Sequence, residues 1–153
     1  MWRGFFAGFL VLAAVAQDDH NHLTLSFAET IQLVVRASRE GFRPLKTFRI
    51  EMHPKRDYWY NVTNVLPGAT QCRVFEHPQM VYRCEWTRTK ESVASLAGQI
   101  GPALGEPWKR GDASAALVRF EPLNVRREGL VEIRGRGNTI EVTFFRPERY
   151  DAE

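Results

Sequence analysis

The chain has 153 residues, 44% of them hydrophobic, with 21 basic and 18 acidic side chains and a net charge of +3. That length supports one real core, and the composition excludes a disordered polymer. Charges of both signs alternate without a block of either, which argues against nucleic acid as a partner.

Residues 1–16 read as a secretory signal. Trp2-Arg3 give a positive start, 4–13 an apolar run, and Ala14-Val15-Ala16 a small-x-small cleavage site before Gln17. The run is shorter than the roughly 20 residues of a spanning helix. No cysteine follows the cleavage site to carry a lipid, and no second apolar run occurs. The expected product is secreted or periplasmic, with no stable membrane span after signal removal. Residues 17–25 are expected to form a flexible N-terminal segment, 26–147 a single α+β domain, and 148–153 a frayed C-terminus.

Ser26-Phe27-Ala28-Glu29 matches a capping box. Phe27, Ile31, Val34, Val35 and Ser38 then fall on one helical face, and Gly41 is a natural stop. Residues 42–53 read as a strand, with Phe48, Ile50 and Met52 alternating against Arg49 and Glu51. His53-Pro54 ends it, Lys55-Arg56-Asp57 makes a turn, and Tyr58-Trp59-Tyr60-Asn61-Val62 is a short aromatic strand. Asn61-Val62-Thr63 is a glycosylation sequon, meaningful only in a eukaryote.

The stretch 71–86 is expected to be a hairpin closed by a disulfide between Cys72 and Cys84, the only two cysteines. A three-residue turn at His77-Pro78-Gln79 pairs Cys72 with Cys84, Val74 with Tyr82 and Glu76 with Met80. It also puts Phe75 opposite Val81 and, less favourably, Arg73 opposite Arg83. Glu85 or Glu76 would relieve that repulsion diagonally. The cross-link is worth about 3 kcal/mol in the chain-entropy model.

Thr89 is the expected cap of a second helix carrying Val93, Leu96, Ala97 and Ile100, and Gly101-Pro102 should break or kink it. Residues 105–113 read as a loop holding Trp108. Three strands follow: 115–121, 130–134 and 139–145. The last two flank Gly135-Arg136-Gly137-Asn138, a hairpin turn rather than a phosphate loop, since no helix follows it. Val131, Ile133, Ile140, Val142 and Phe144 share one face; Glu132, Arg134, Glu141 and Thr143 share the other. The expected fold is α+β in two layers: an antiparallel sheet of about five to seven strands with two helices packed on one face. Each half is one helix followed by a meander, a layout similar to that of small exported inhibitors and assembly lipoproteins.

Three constellations carry chemistry. Tyr58, Trp59, Tyr60 and Trp108 form the richest aromatic set, and exposed rings near arginine suit a protein surface or a glycan. His53, Asp57 and His77 are candidates for acid–base work in a small secreted hydrolase, although proline follows both histidines and explains them as turn residues. Asp18, Asp19, His20 and His22 are candidate ligands for Cu²⁺ or Zn²⁺ in the N-terminal tail, against the alternative of a solvated segment. No nucleophile motif is present and no cofactor is implied. The expected function is therefore a non-enzymatic, inhibitor-like module that binds protein or glycan.

Overall fold

A computed structural model describes residues 24–51 and 58–147. Its elements are α1 (Phe27–Ser38), β1 (Lys46–Glu51), β2 (Tyr58–Val62), β3 (Gln71–Phe75), β4 (Val81–Thr87), α2 (Val93–Leu104), β5 (Lys109–Ser114), β6 (Leu117–Glu121), the single turn α3 (Val125–Glu128), β7 (Leu130–Arg136) and β8 (Thr139–Phe145). The expected signal, the tail with Asp18, Asp19, His20 and His22, the residues His53 and Asp57, and 148–153 lie outside the described residues. Among the described residues, no helix is long and apolar enough to cross a membrane.

The fold is α+β, with one antiparallel sheet in the order β1-β2-β3-β4-β8-β7-β6-β5. Each of the two long helices, α1 and α2, is followed by a four-stranded meander, and β4 and β8 join the two meanders. The order therefore reads the same from either edge. The count of eight strands corrects the expected five to seven. The additional strand is β5, whose sequence Lys109-Arg110-Gly111-Asp112-Ala113-Ser114 has no apolar alternation because every residue is exposed at the sheet edge. A strand with neither face buried leaves no period-two signal.

Alternation decides which face the helices cover. Val74, Tyr82, Cys84, Trp86, Val118, Phe120, Val131, Ile133, Ile140, Val142 and Phe144 meet Ile31 and Val34 of α1 and Leu96 and Ile100 of α2 in one buried cluster. Tyr82 anchors it, between Phe42 at 6.1 Å and Phe144 at 5.9 Å between ring centroids. Its hydroxyl donates to the Asn64 carbonyl at 2.7 Å, and burial pushes the phenol well above its usual range. Gln32 of α1 donates to the terminal carbonyls of Ala103 and Leu104, tying the two helices together.

Local signals were obeyed unevenly. Helix α1 starts as expected: Ser26 accepts from the Glu29 amide, and Glu29 accepts from the Ser26 amide. Helix α2 is capped by Ser92 rather than Thr89 and runs through Pro102 to Leu104. Pro102 lies in the last turn, where the helix end leaves few further bonds to disturb. The strand expected at 42–53 begins only at Lys46, because Arg43–Leu45 forms a 3-10 turn after left-handed Phe42. The β3–β4 connection spans 76–80, so Glu76 and Met80 are not a ladder pair. The β7–β8 turn is the pair Gly137-Asn138, with Gly137 at φ +53°. Gly135 lies within β7, where a Cβ would collide with the Arg88 guanidinium.

Candidate functional site

The two long helices cover one side of the sheet. On the other side, register alone builds a row of apolar side chains. Ile50 pairs with Trp59, Trp59 with Phe75, Phe75 with Val81, Val81 with Phe145, and Phe145 with Leu130. Directly paired residues share a face, so the row crosses six adjacent strands, about 24 Å at the usual strand spacing. Val81 is buried by its neighbours and the other five are half-buried. Trp59 and Phe75 lie 6.3 Å apart at 48° between planes.

The next row on this face is polar. Asn61 pairs with Arg73, Arg73 with Arg83, Arg83 with Thr143, Thr143 with Glu132, and Glu132 with Arg119. The facing arginines are not relieved by Glu85 or Glu76. Glu85 accepts from Gln71, and Glu76 is paired with Lys46. Instead the arginines bend into the apolar row. The Arg73 guanidinium sits 4.4 Å over the Trp59 ring and that of Arg83 5.2 Å over Phe75. Stacking on a ring face is favourable for each planar cation and offsets part of their mutual repulsion. Arg83 also donates from Nε to Thr143 Oγ1 at 3.3 Å. Neither arginine is ion-paired with a described carboxylate.

The second half of the same face is closed on itself. Glu132 accepts from Arg119 at 3.0 Å and from Arg134 at 2.7 Å. Burial would raise its carboxyl, but the hydrogen bonds from Arg134 and Arg119 outweigh burial and hold it below the ordinary range. Arg136 pairs with Glu141.

A depression of about 390 Å³ opens beside Arg73, lined by Thr47, Phe48, Asn61, Val62, Val65, Gln71 and Cys72 as well. The β1–β2 register slips by one residue between Lys46 and Arg49, so Thr47 and Phe48 together oppose Asn61. Phe48 lies in this bulge and is 64% exposed. Val65, in the following loop, is 46% exposed. Sequence reasoning missed Phe48, Val65, Phe75, Arg73 and Arg83 as a site. The only available signal was the facing arginine pair, which looked like a defect of register.

The aromatic residues singled out from the sequence do not form one patch. Trp59 lies on the helix-free face. Tyr60 and Trp108 pack against the core, and Trp108 precedes the opposite edge strand. Tyr58 contributes its backbone to β2. His77 is exposed in the β3–β4 connection, while its proposed companions His53 and Asp57 are outside the described residues. Cys72 and Cys84 form the expected disulfide. Among the described residues, no group of three or more His, Cys, Asp or Glu could hold a metal ion.

In comparisons with protein-family models, curated proteins and solved structures, nothing matches the chain. The class is thus defined by geometry alone: an α+β protein with one sheet face covered by the two long helices and one partly apolar face that the described residues leave uncovered.

Proposed function

We propose that this chain is a non-enzymatic, extracytoplasmic binding module that receives a protein partner on the helix-free face of its sheet. The observation that carries this reading is the six-strand row from Ile50 to Leu130. Helices seal one face of such a sheet, and an apolar row left half-buried on the other is the kind of surface that a second protein covers.

A protein suits the face better than a glycan. Sugars stack on open aromatic faces, and here Arg73 lies over Trp59 and Arg83 over Phe75. Ile50, Val81 and Leu130 add aliphatic surface, which favours shape-matched protein packing. The export expectation from residues 1–16 and the Cys72–Cys84 disulfide agree with an oxidising compartment. The hydrolase reading needs His53 and Asp57, and the tail-metal reading Asp18, Asp19, His20 and His22, all of which lie outside the described residues.

A photo-crosslinking amino acid placed at Phe75, with one at exposed Ser95 on α2 as control, tests the reading. Crosslinks to a protein from Phe75 and not from Ser95 are expected in extracts of the source's extracytoplasmic fraction. Crosslinks from Ser95 alone would place the working surface on the helices.

A further inference from the structure

We infer that the partner is acidic at its point of contact. It presents a carboxylate side chain to Arg73 and Arg83, next to an apolar side chain seated between Phe48 and Val65. This rests on the helix-free face being the binding surface and adds the chemistry that the face selects.

The charge distribution carries the inference. Each of the other ladder arginines on this face has a carboxylate: Arg119 and Arg134 share Glu132, and Arg136 has Glu141. Arg73 and Arg83 have none among the described residues, although they are direct cross-strand neighbours. Two adjacent unneutralised cations repel each other, and one carboxylate between them would remove that repulsion. Thr143 engages one side-chain N–H of Arg83, and the Arg73 guanidinium donates no hydrogen bond to a described residue. Donors therefore remain for a forked interaction. Both guanidinium groups are already held against rings, which lowers the ordering cost of binding.

The neighbouring depression supplies the second element. Phe48 and Val65 are two of the three large hydrophobic residues that are exposed among those described, and both line it together with Arg73. An aliphatic or aromatic side chain next to the partner's carboxylate would fill this space while the carboxylate reaches the arginines. An apolar anchor beside a neutralised charge is a usual source of interface energy.

The probe is a library of short random peptides displayed on phage and selected on the full chain. Bound sequences are counted, and their position is mapped by amide chemical-shift changes. The expected pool is enriched in Asp or Glu beside Leu, Ile or Phe, and shifts concentrate on β2, β3 and β4. Affinity should fall about tenfold or more in the Arg73→Gln/Arg83→Gln variant and weaken with salt. The Arg73→Lys/Arg83→Lys variant keeps the charge without the fork and should lose less. Peptides that map to this face without acidic enrichment, and ignore both variants, would overturn the acidic partner and leave the binding face standing. Peptides that map to other surfaces, or no selectable peptide at all, would count against both. A second copy as occupant would show as concentration-dependent sedimentation abolished by Arg73→Glu, and would also overturn the inference. Unchanged thermal melts of the arginine variants separate lost binding from lost fold.

Discussion

The two meanders occupy equivalent places in the sheet and solve the same problems differently. Where the first half cross-links Cys72 to Cys84, the second pairs Ile133 with Val142 at the matching position. Where the first half opposes Arg73 and Arg83 over aromatic rings, the second opposes Glu132 to Arg119 and Thr143 and adds Arg134. One half neutralises its charges internally; the other leaves two cations facing outward on an apolar row. On the binding reading proposed above, this asymmetry places the partner's carboxylate at the first half, where the cations are not neutralised by described residues.

The largest expected effect tests whether packing replaces the disulfide. Ile133→Ala should cost about 2–5 kcal/mol in urea unfolding, since Ile133 is fully buried. Cys72→Ala with Cys84→Ala should cost about 2–4 kcal/mol. A second half that tolerates Ile133→Ala with less than about 1 kcal/mol lost would end the comparison as stated.

A transplant sharpens it. The Arg146 amide bonds to the Met80 carbonyl, so 84 and 142 fall at a hydrogen-bonded position, and Ile133–Val142, on the other side of β8, at a non-hydrogen-bonded one. Close side chains at such a pair suit a bridge. Ile133→Cys with Val142→Cys should therefore oxidise spontaneously, read as absence of titratable thiols in the unfolded protein. Persistent free thiols under oxidising conditions would show that the halves differ in local geometry.

The charge network predicts a pH effect that arises in the second half of the sheet. The folded Glu132 carboxyl lies below its ordinary value of 4.5, because the Arg134 and Arg119 hydrogen bonds outweigh burial. Its contribution is complete above that ordinary value and is lost as pH falls through the lower folded value. Glu132→Gln should flatten the acid limb of stability below pH 4.5, and an unchanged acid limb would remove the network from the account. The smallest effect distinguishes the helix starts. Ser26→Ala breaks a reciprocal capping box and Ser92→Ala a single cap, so each should cost about 1 kcal/mol by thermal melting, the former slightly more.

Much of this architecture was legible in particular residues. The capping box at Ser26 and Glu29, the cysteine register and the alternation in 130–145 depend on neighbours a few positions apart, and each reads locally. Strand β5 did not read, because an edge strand exposed on both faces has no apolar period. The bulge at Thr47 and Phe48 did not read, because it inserts a residue without changing the alternation in the sequence. Trp59 and Trp108 looked like one aromatic set, yet strand order sends them to opposite halves of the sheet, in β2 and beside β5.

By itself, the sequence determined the start of α1, the hairpin with its disulfide, and which residues along 130–145 share a face, because these follow from short-range spacing and turn chemistry. Only the tertiary structure decided that β4 lies beside β8. That single long-range pairing turns two meanders into one sheet, and it places Val81 against Phe145. The apolar row and the arginine pair beside it become one surface only through contacts between strands far apart in the chain, which no local pattern encodes.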